Sequence, residues 1–214
     1  VVGLTLTRSG SAVASADMGG NVVVWEPNSG IEYSRVSDTA SAVAFSPDEA
    51  LLATASGSSG VNLWDPDTGQ LIARAGHGDA GYARDDAVVA FSNDGRWLAS
   101  ARPDDTARVW NVENLNEAAR FELAGGEIWV DDMYIDDQEG FFAICGSLGA
   151  YDHRSPAMGR TLEIWDWKPE QMVERACDRL TRDLTETEWV RFMRGEPYRR
   201  ICLDQQERVA QFGD

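Results

Sequence analysis

The chain has 214 residues, 43% of them hydrophobic, with 36 acidic against 19 basic side chains and a formal net charge of −17. That length accommodates one large domain or two small ones with a substantial core. An acidic surface repels phosphate backbones and anionic lipid, which argues against nucleic acid and membrane as partners.

The first residues, VVGLTLTRSGSAVASA, read as an apolar strand, a polar turn at TRSG and a second strand ending in small residues. A third run, VVVW, ends at Trp25 and is followed by EPNSG, another turn. The pattern then repeats. SAVAFSPDEALLATAS leads to VNLW at Trp64, and the turn DTG leads to a fourth strand, QLIARA. AVVAFSNDGRWLASA leads to ARVW at Trp110, and EGFFAICGS leads to LEIW at Trp165. An acidic residue or Asn follows each tryptophan. Four strands in a unit of about forty residues cannot bury both sheet faces alone, so stacked units covering one another are the expected solution.

Several local features interrupt the repeat. The run GHGDAGYARDD (76–86) is an elongated loop, and GSLGAYDHRSPAMGR is an insertion between the second and third strands of the fourth unit. Long loops on a rigid scaffold are where binding resides, and Tyr151, His153 and Arg154 are the candidate partner contacts. Asp131, Asp132, Asp136 and Asp137 cluster without EF-hand spacing, and a strand would point Asp131 and Asp132 to opposite faces. They are read as a solvated acidic rim. Cys145, Cys177 and Cys202 form no disulfide framework. Cys145 sits in a strand expected to be buried, where a thiol beside His153 is inert.

After Trp167 the composition turns helical. Pro169 suits a first helical turn, Met172, Val173, Ala176 and Leu180 make one apolar face, and Thr185 with Glu188 forms a capping box for a second helix.

AFSPDEALLATASGSSGVNLWDPDTGQLIARAGH and AVVAFSNDGRWLASARPDDTARVWNVENL resemble WD40 repeats over their whole length. The resemblance extends over residues 1–167. It implies an all-β propeller of four blades (about 1–36, 38–76, 77–124 and 127–167), within a ring of about seven, followed by a helical extension at 168–214. It also implies a hydrogen-bonded His–Ser–Asp–Trp tetrad, a structural device met in full only by His77, Ser100, Asp104 and Trp110. With Ser58 and Gly19 standing where that Asp would fall, the first two blades are expected to rely on apolar packing.

The segment ACDRLTRDLTETEWVRFMRGEPYRRIC is similar to one that ends many bacterial multidomain WD40 proteins. This resemblance implies a prokaryotic, cytoplasmic regulatory protein whose chemistry lies in an upstream NTPase, kinase or peptidase. The chain begins at Val1 inside a strand pattern, so the remaining blades are expected from further chain or another subunit. The expected function is a non-catalytic protein-interaction and sensing scaffold without metal or cofactor, partnered by a protein or another domain of the same polypeptide. Two alternatives stand beside it: the sensor arm of a defence or stress effector, and an enzyme with a site in the propeller opening.

Overall fold

The computed structural model describes residues 1–17, 19–56, 60–76, 87–102, 106–123, 128–138, 140–148, 159–168 and 185. Every regular element among them is a β-strand. The chain divides into two compact units, Val1–Trp165 and Asp166–Asp214. The expected C-terminal helices lie outside the described residues.

The strands fall into four antiparallel sheets in chain order, which are the blades of a β-propeller. Blade 1 comprises β1 (Gly3–Leu6), β2 (Val13–Ala16), β3 (Asn21–Trp25) and β4 (Glu32–Ser37). Blade 2 comprises β5 (Ala42–Phe45), β6 (Leu52–Ser56), β7 (Gly60–Trp64) and β8 (Leu71–Ala75). Blade 3 comprises β9 (Val88–Phe91), β10 (Trp97–Arg102), β11 (Thr106–Asn111) and β12 (Glu117–Glu122). Blade 4 comprises β13 (Ile128–Ile135), β14 (Phe141–Leu148) and β15 (Gly159–Asp166). A fourth strand was expected in every blade, but this last sheet has three among the described residues.

Register explains why the tryptophan recurs. Val13, Leu52 and Leu98 each pair with the tryptophan of their own blade, namely Trp25, Trp64 and Trp110. Each tryptophan then meets the fourth strand at a β-bulge, opposite Glu32, Leu71 and Glu117. Since side chains alternate across a strand, every sheet has a tryptophan-bearing face and an opposite face of Ala and Val. These faces mate blade to blade. Ala14, Ala16, Val22, Val24 and Val36 of blade 1 pack on Val43, Leu52 and Trp64 of blade 2. Ala53, Ala55, Val61 and Leu63 of blade 2 pack on Leu98 and Trp110 of blade 3. Phe121 of blade 3 meets Phe142 and Trp165 of blade 4, with ring centroids 4.7 and 5.5 Å away. Small residues on one side let the indole of the next sheet approach closely.

The turns are equally repetitive. Thr7, Ser46 and Ser92 accept the amide of the residue five positions on, Ala12, Leu51 and Trp97, at 2.9, 2.9 and 3.0 Å. The residue three positions after each hydroxyl takes a positive φ: Gly10, Glu49 and Gly95. After the tryptophan, Glu26, Asp65 and Asn111 accept backbone amides of their own turns through the side chain. This is why an acidic residue or Asn follows each indole: it closes a turn. The amides, Thr68's foremost, hold the Asp65 carboxyl below its usual range, and hydrogen bonds led by Ser29 do so for Glu26.

Candidate interaction surfaces and the polar cores of the blades

The indole of each of the first three blades donates to a hydroxyl on the neighbouring strand. Trp25 Nε1 lies 2.9 Å from Ser15 Oγ, Trp64 Nε1 2.9 Å from Thr54 Oγ1, and Trp110 Nε1 2.8 Å from Ser100 Oγ. Ser100 and Trp110 are therefore brought together as the sequence implied. The other two tetrad candidates, His77 and Asp104, lie outside the described residues.

Blade 2 overturns the expectation that the early blades rely on apolar packing alone. Thr54 donates from Oγ1 to Asp38 Oδ2 at 2.5 Å, and Asn62 Nδ2 donates to the same oxygen at 2.9 Å. Asn62 Oδ1 in turn accepts from Arg74 Nε at 2.8 Å. Trp64, Thr54, Asp38, Asn62 and Arg74 thus form one continuous chain, with Thr54 and Asn62 fully buried. Asp38 enters from the connection between β4 and β5, a place the sequence reading did not search. The signal available was the pairing of a polar Asn62 with Arg74 inside an otherwise apolar strand. Blade 1 carries the Trp25–Ser15 bond, so it too is not purely apolar.

Among the described residues blade 4 shows no such bond. Ile135 pairs with Phe142 as Phe91 pairs with Leu98, so Ile144 occupies the place of Ser100. Trp165 Nε1 is buried and, among the described residues, has no hydrogen-bond partner.

The inner strands β1, β5, β9 and β13 border a cleft of about 600 Å³ to which all four blades contribute. Its walls include Leu4, Val43, Val89 and Val130, with Asp17, Asp131 and Asp132 as the acidic groups. Asp131 and Asp132 line the cleft at the point where the β13–β14 register shifts between Val130 and Asp132, and Asp132 Oδ1 accepts the amide of Met133 at 2.8 Å. Asp136 follows the end of β13, where its Oδ1 accepts the amide of Gln138. Asp131 and Asp132 thus lie mid-strand and Asp136 and Asp137 in the turn after it, and no group of three potential metal ligands occurs among the described residues. Asp17 accepts from the amides of Gly19 and Asn21, at 2.7 and 3.1 Å, and these bonds, Asn21's first, hold its carboxyl below the usual range.

Along the turn side of the blades, polar contacts join neighbours. Glu49 of blade 2 accepts from Ser9 of blade 1, and Asn93 Nδ2 of blade 3 donates to the Tyr134 hydroxyl of blade 4 at 3.1 Å. The insertion residues Tyr151, His153 and Arg154 lie outside the described residues. The structure does fix where their loop is attached, since β14 ends at Leu148 and β15 begins at Gly159. Cys145 is half-buried on β14. It takes the place held by Ala16, Ala55 and Ala101 in the other sheets, because each lies three residues after the partner of the indole. It is a small packing residue on that face.

Residues 34–65 and 86–111 match the family model described as WD domain, G-beta repeat. These two stretches are therefore similar to WD40 repeats. They run from within β4 to the residue after β7 and from just before β9 to the end of β11, each closing on the residue after the indole. The nuclear distribution protein PAC1 of Arthroderma benhamiae is 31% identical over 132 residues, covering 55% of this chain and 27% of that protein. PAC1 of Arthroderma otae is 30% identical over the same coverage. The target of rapamycin complex subunit wat1 of Schizosaccharomyces pombe is 28% identical over 128 residues, 58% of this chain and 39% of that protein. The chain thus spans between about a quarter and two-fifths of these relatives' lengths.

Proposed function

We propose that this chain is a non-catalytic interaction and sensing scaffold, the WD40 part of a larger cytoplasmic regulatory protein. The observation carrying the reading is the cleft bordered by one inner strand from each of four mutually packed blades. Such a surface is rigid because every strand beside it is fixed by register on its outer side. Its apolar walls and carboxylates suit a protein segment with basic and aliphatic side chains. One relative is named as a subunit of a complex, which fits an interaction role. The bacterial setting and an upstream effector domain rest on the C-terminal sequence resemblance.

In this reading Tyr151, His153 and Arg154 form the contact loop, and His77 with Asp104 extends the Trp110–Ser100 bond into a full tetrad. Further blades complete the ring. The test is affinity capture from the source cells with the wild-type chain, with residues 149–158 replaced by a short Gly-Ser linker, and with D131N/D132N. The replacement leaves both strands whole, because only residues between Leu148 and Gly159 are exchanged. A specific partner retained equally by all three folded chains sinks both surfaces.

A further inference from the structure

A recess of about 360 Å³ lies between blades 1 and 2, on the side of the turns that follow β1, β5 and β7. It is separate from the cleft, because β1 borders the cleft from Val2 to Leu4 and the recess lies past its other end, at Thr7. The recess has a cause in the sequence. The residue whose amide bonds the turn hydroxyl is Ala12 in blade 1, but Leu51 in blade 2 and Trp97 in blade 3. Between blades 2 and 3, Leu51 packs against the shared core. Alanine stops at Cβ, so the corresponding space between blades 1 and 2 stays open. The same boundary also gains a charge. Glu49 of blade 2 lines the recess from the turn position where blades 1 and 3 place Gly10 and Gly95. Space and carboxylate therefore coincide here.

We infer that this recess is a second docking site, and that its occupant is an arginine side chain of a protein partner. Tyr33, Phe45 and Pro66 supply apolar and aromatic lining, on which a flat, weakly hydrated guanidinium and its methylene stem lie favourably. The Glu49 carboxylate is already oriented. Its Oε1 accepts the Ser9 amide, and its Oε2 accepts from the Ser9 and Ser11 hydroxyls at 2.8 and 3.3 Å. A carboxylate offers about four acceptor sites, so a guanidinium N–H can still be received without reorganising the side chain. Asp67, exposed, lines the same recess as a second acceptor. Two carboxylates suit the five-donor fork of arginine better than the point charge of lysine. The volume is at the lower end of the pocket range, roughly 300–1,000 Å³, which fits one long side chain. The net charge of −17 steers a basic partner toward the chain. This site stands without the cleft, since the two share no lining residue.

The experiment is an NMR titration of the full chain with Nα-acetyl-arginine N-methylamide, following assigned backbone amides. The citrulline analogue, which keeps the shape and lacks the charge, and the lysine analogue are the controls. Saturable shifts are expected at Tyr33, Glu49 and Asp67, with a dissociation constant on the order of a millimolar for one side chain without its flanking peptide. Both controls are expected to bind more weakly, citrulline by about tenfold or more, as fits the loss of a charge-assisted hydrogen bond. Ala12→Leu installs the residue that blade 2 uses at this place and is expected to abolish the shifts while the spectrum keeps the dispersion of a folded chain. Asp67→Asn, at an exposed position, is expected to weaken binding several-fold, and it carries the test if Ala12→Leu does not fold. The inference is overturned by no saturable shift up to about 10 mM probe, by equal binding of either control, or by unchanged arginine binding in either folded variant. Shifts confined to Val43, Val89 and Asp131 also overturn it, and they favour the cleft, so the two surfaces fail separately.

Discussion

Glu49 holds Ser9 across a blade boundary: its Oε1 accepts the Ser9 amide at 2.6 Å and its Oε2 the Ser9 hydroxyl at 2.8 Å. It does so from a backbone φ of 65°, at the turn position where the neighbouring blades place Gly10 and Gly95. A glutamate in the left-handed region is strained, so this contact trades backbone strain for a tie between turns. Glu49→Ala keeps the strain and loses the tie, whereas Glu49→Gly loses both. The urea midpoint is expected to fall in the order wild type, Glu49→Gly, Glu49→Ala. An alanine variant as stable as the glycine variant removes the strain argument.

The same contact sets a pH dependence. The Ser9 backbone amide first, and then its hydroxyl, hold the Glu49 carboxyl below its usual range. A depressed carboxyl contributes stability above its unfolded pKa, and that contribution is lost as pH falls through the folded value. Asp48 is lowered in the same way, chiefly by the Ser46 hydroxyl. Urea midpoints are therefore expected to fall progressively below about pH 5. Glu49→Gln should flatten part of that slope, and an unchanged slope refutes the assignment.

Thr54 tests the blade 2 chain. Thr54→Val preserves shape but strands the Trp64 indole N–H and removes one donor from Asp38. The expected loss is about 1–3 kcal/mol by equilibrium unfolding, the cost of a buried polar group left unpaired. In blade 4 the reverse change is instructive. Ile144→Thr removes buried apolar atoms but gives Trp165 Nε1 an acceptor, so it is expected to cost less than about 1 kcal/mol, where Ile-to-Thr in a core normally costs more. A loss equal to that of an ordinary core threonine refutes the equivalence of Ile144 with Ser100.

Gly69 and Gly30 occupy the same turn position with φ of 69° and 70°, yet their surroundings differ. A Cβ on Gly69 would stand 2.8 Å from the Arg35 carbonyl oxygen of blade 1, while one on Gly30 meets nothing within 4 Å. Gly30→Ala is expected to cost about 1 kcal/mol, from the left-handed backbone alone. Gly69→Ala should exceed it by about 1 kcal/mol or more, since backbone must shift. Equal losses in chemical denaturation would falsify the close approach of β4 to this turn.

The sequence by itself determined the strands, the turns and the four-fold recurrence of the indole. These are properties of short range: alternation decides which side of a strand is apolar, and a turn hydroxyl bonds five residues ahead. The resemblance to WD40 repeats implied Ser100 beside Trp110, and the two lie on paired strands of one blade. What only the tertiary structure decided was everything that crosses a blade boundary or a bulge. Asp38 reaches Thr54 from a connecting segment, so its role depends on where that segment runs. The register shift beside Asp131 depends on how β13 pairs with β14, which the two-residue period of one strand does not contain. The mating of an indole face with an alanine face is a property of two sheets, and no single repeat, read alone, contains it.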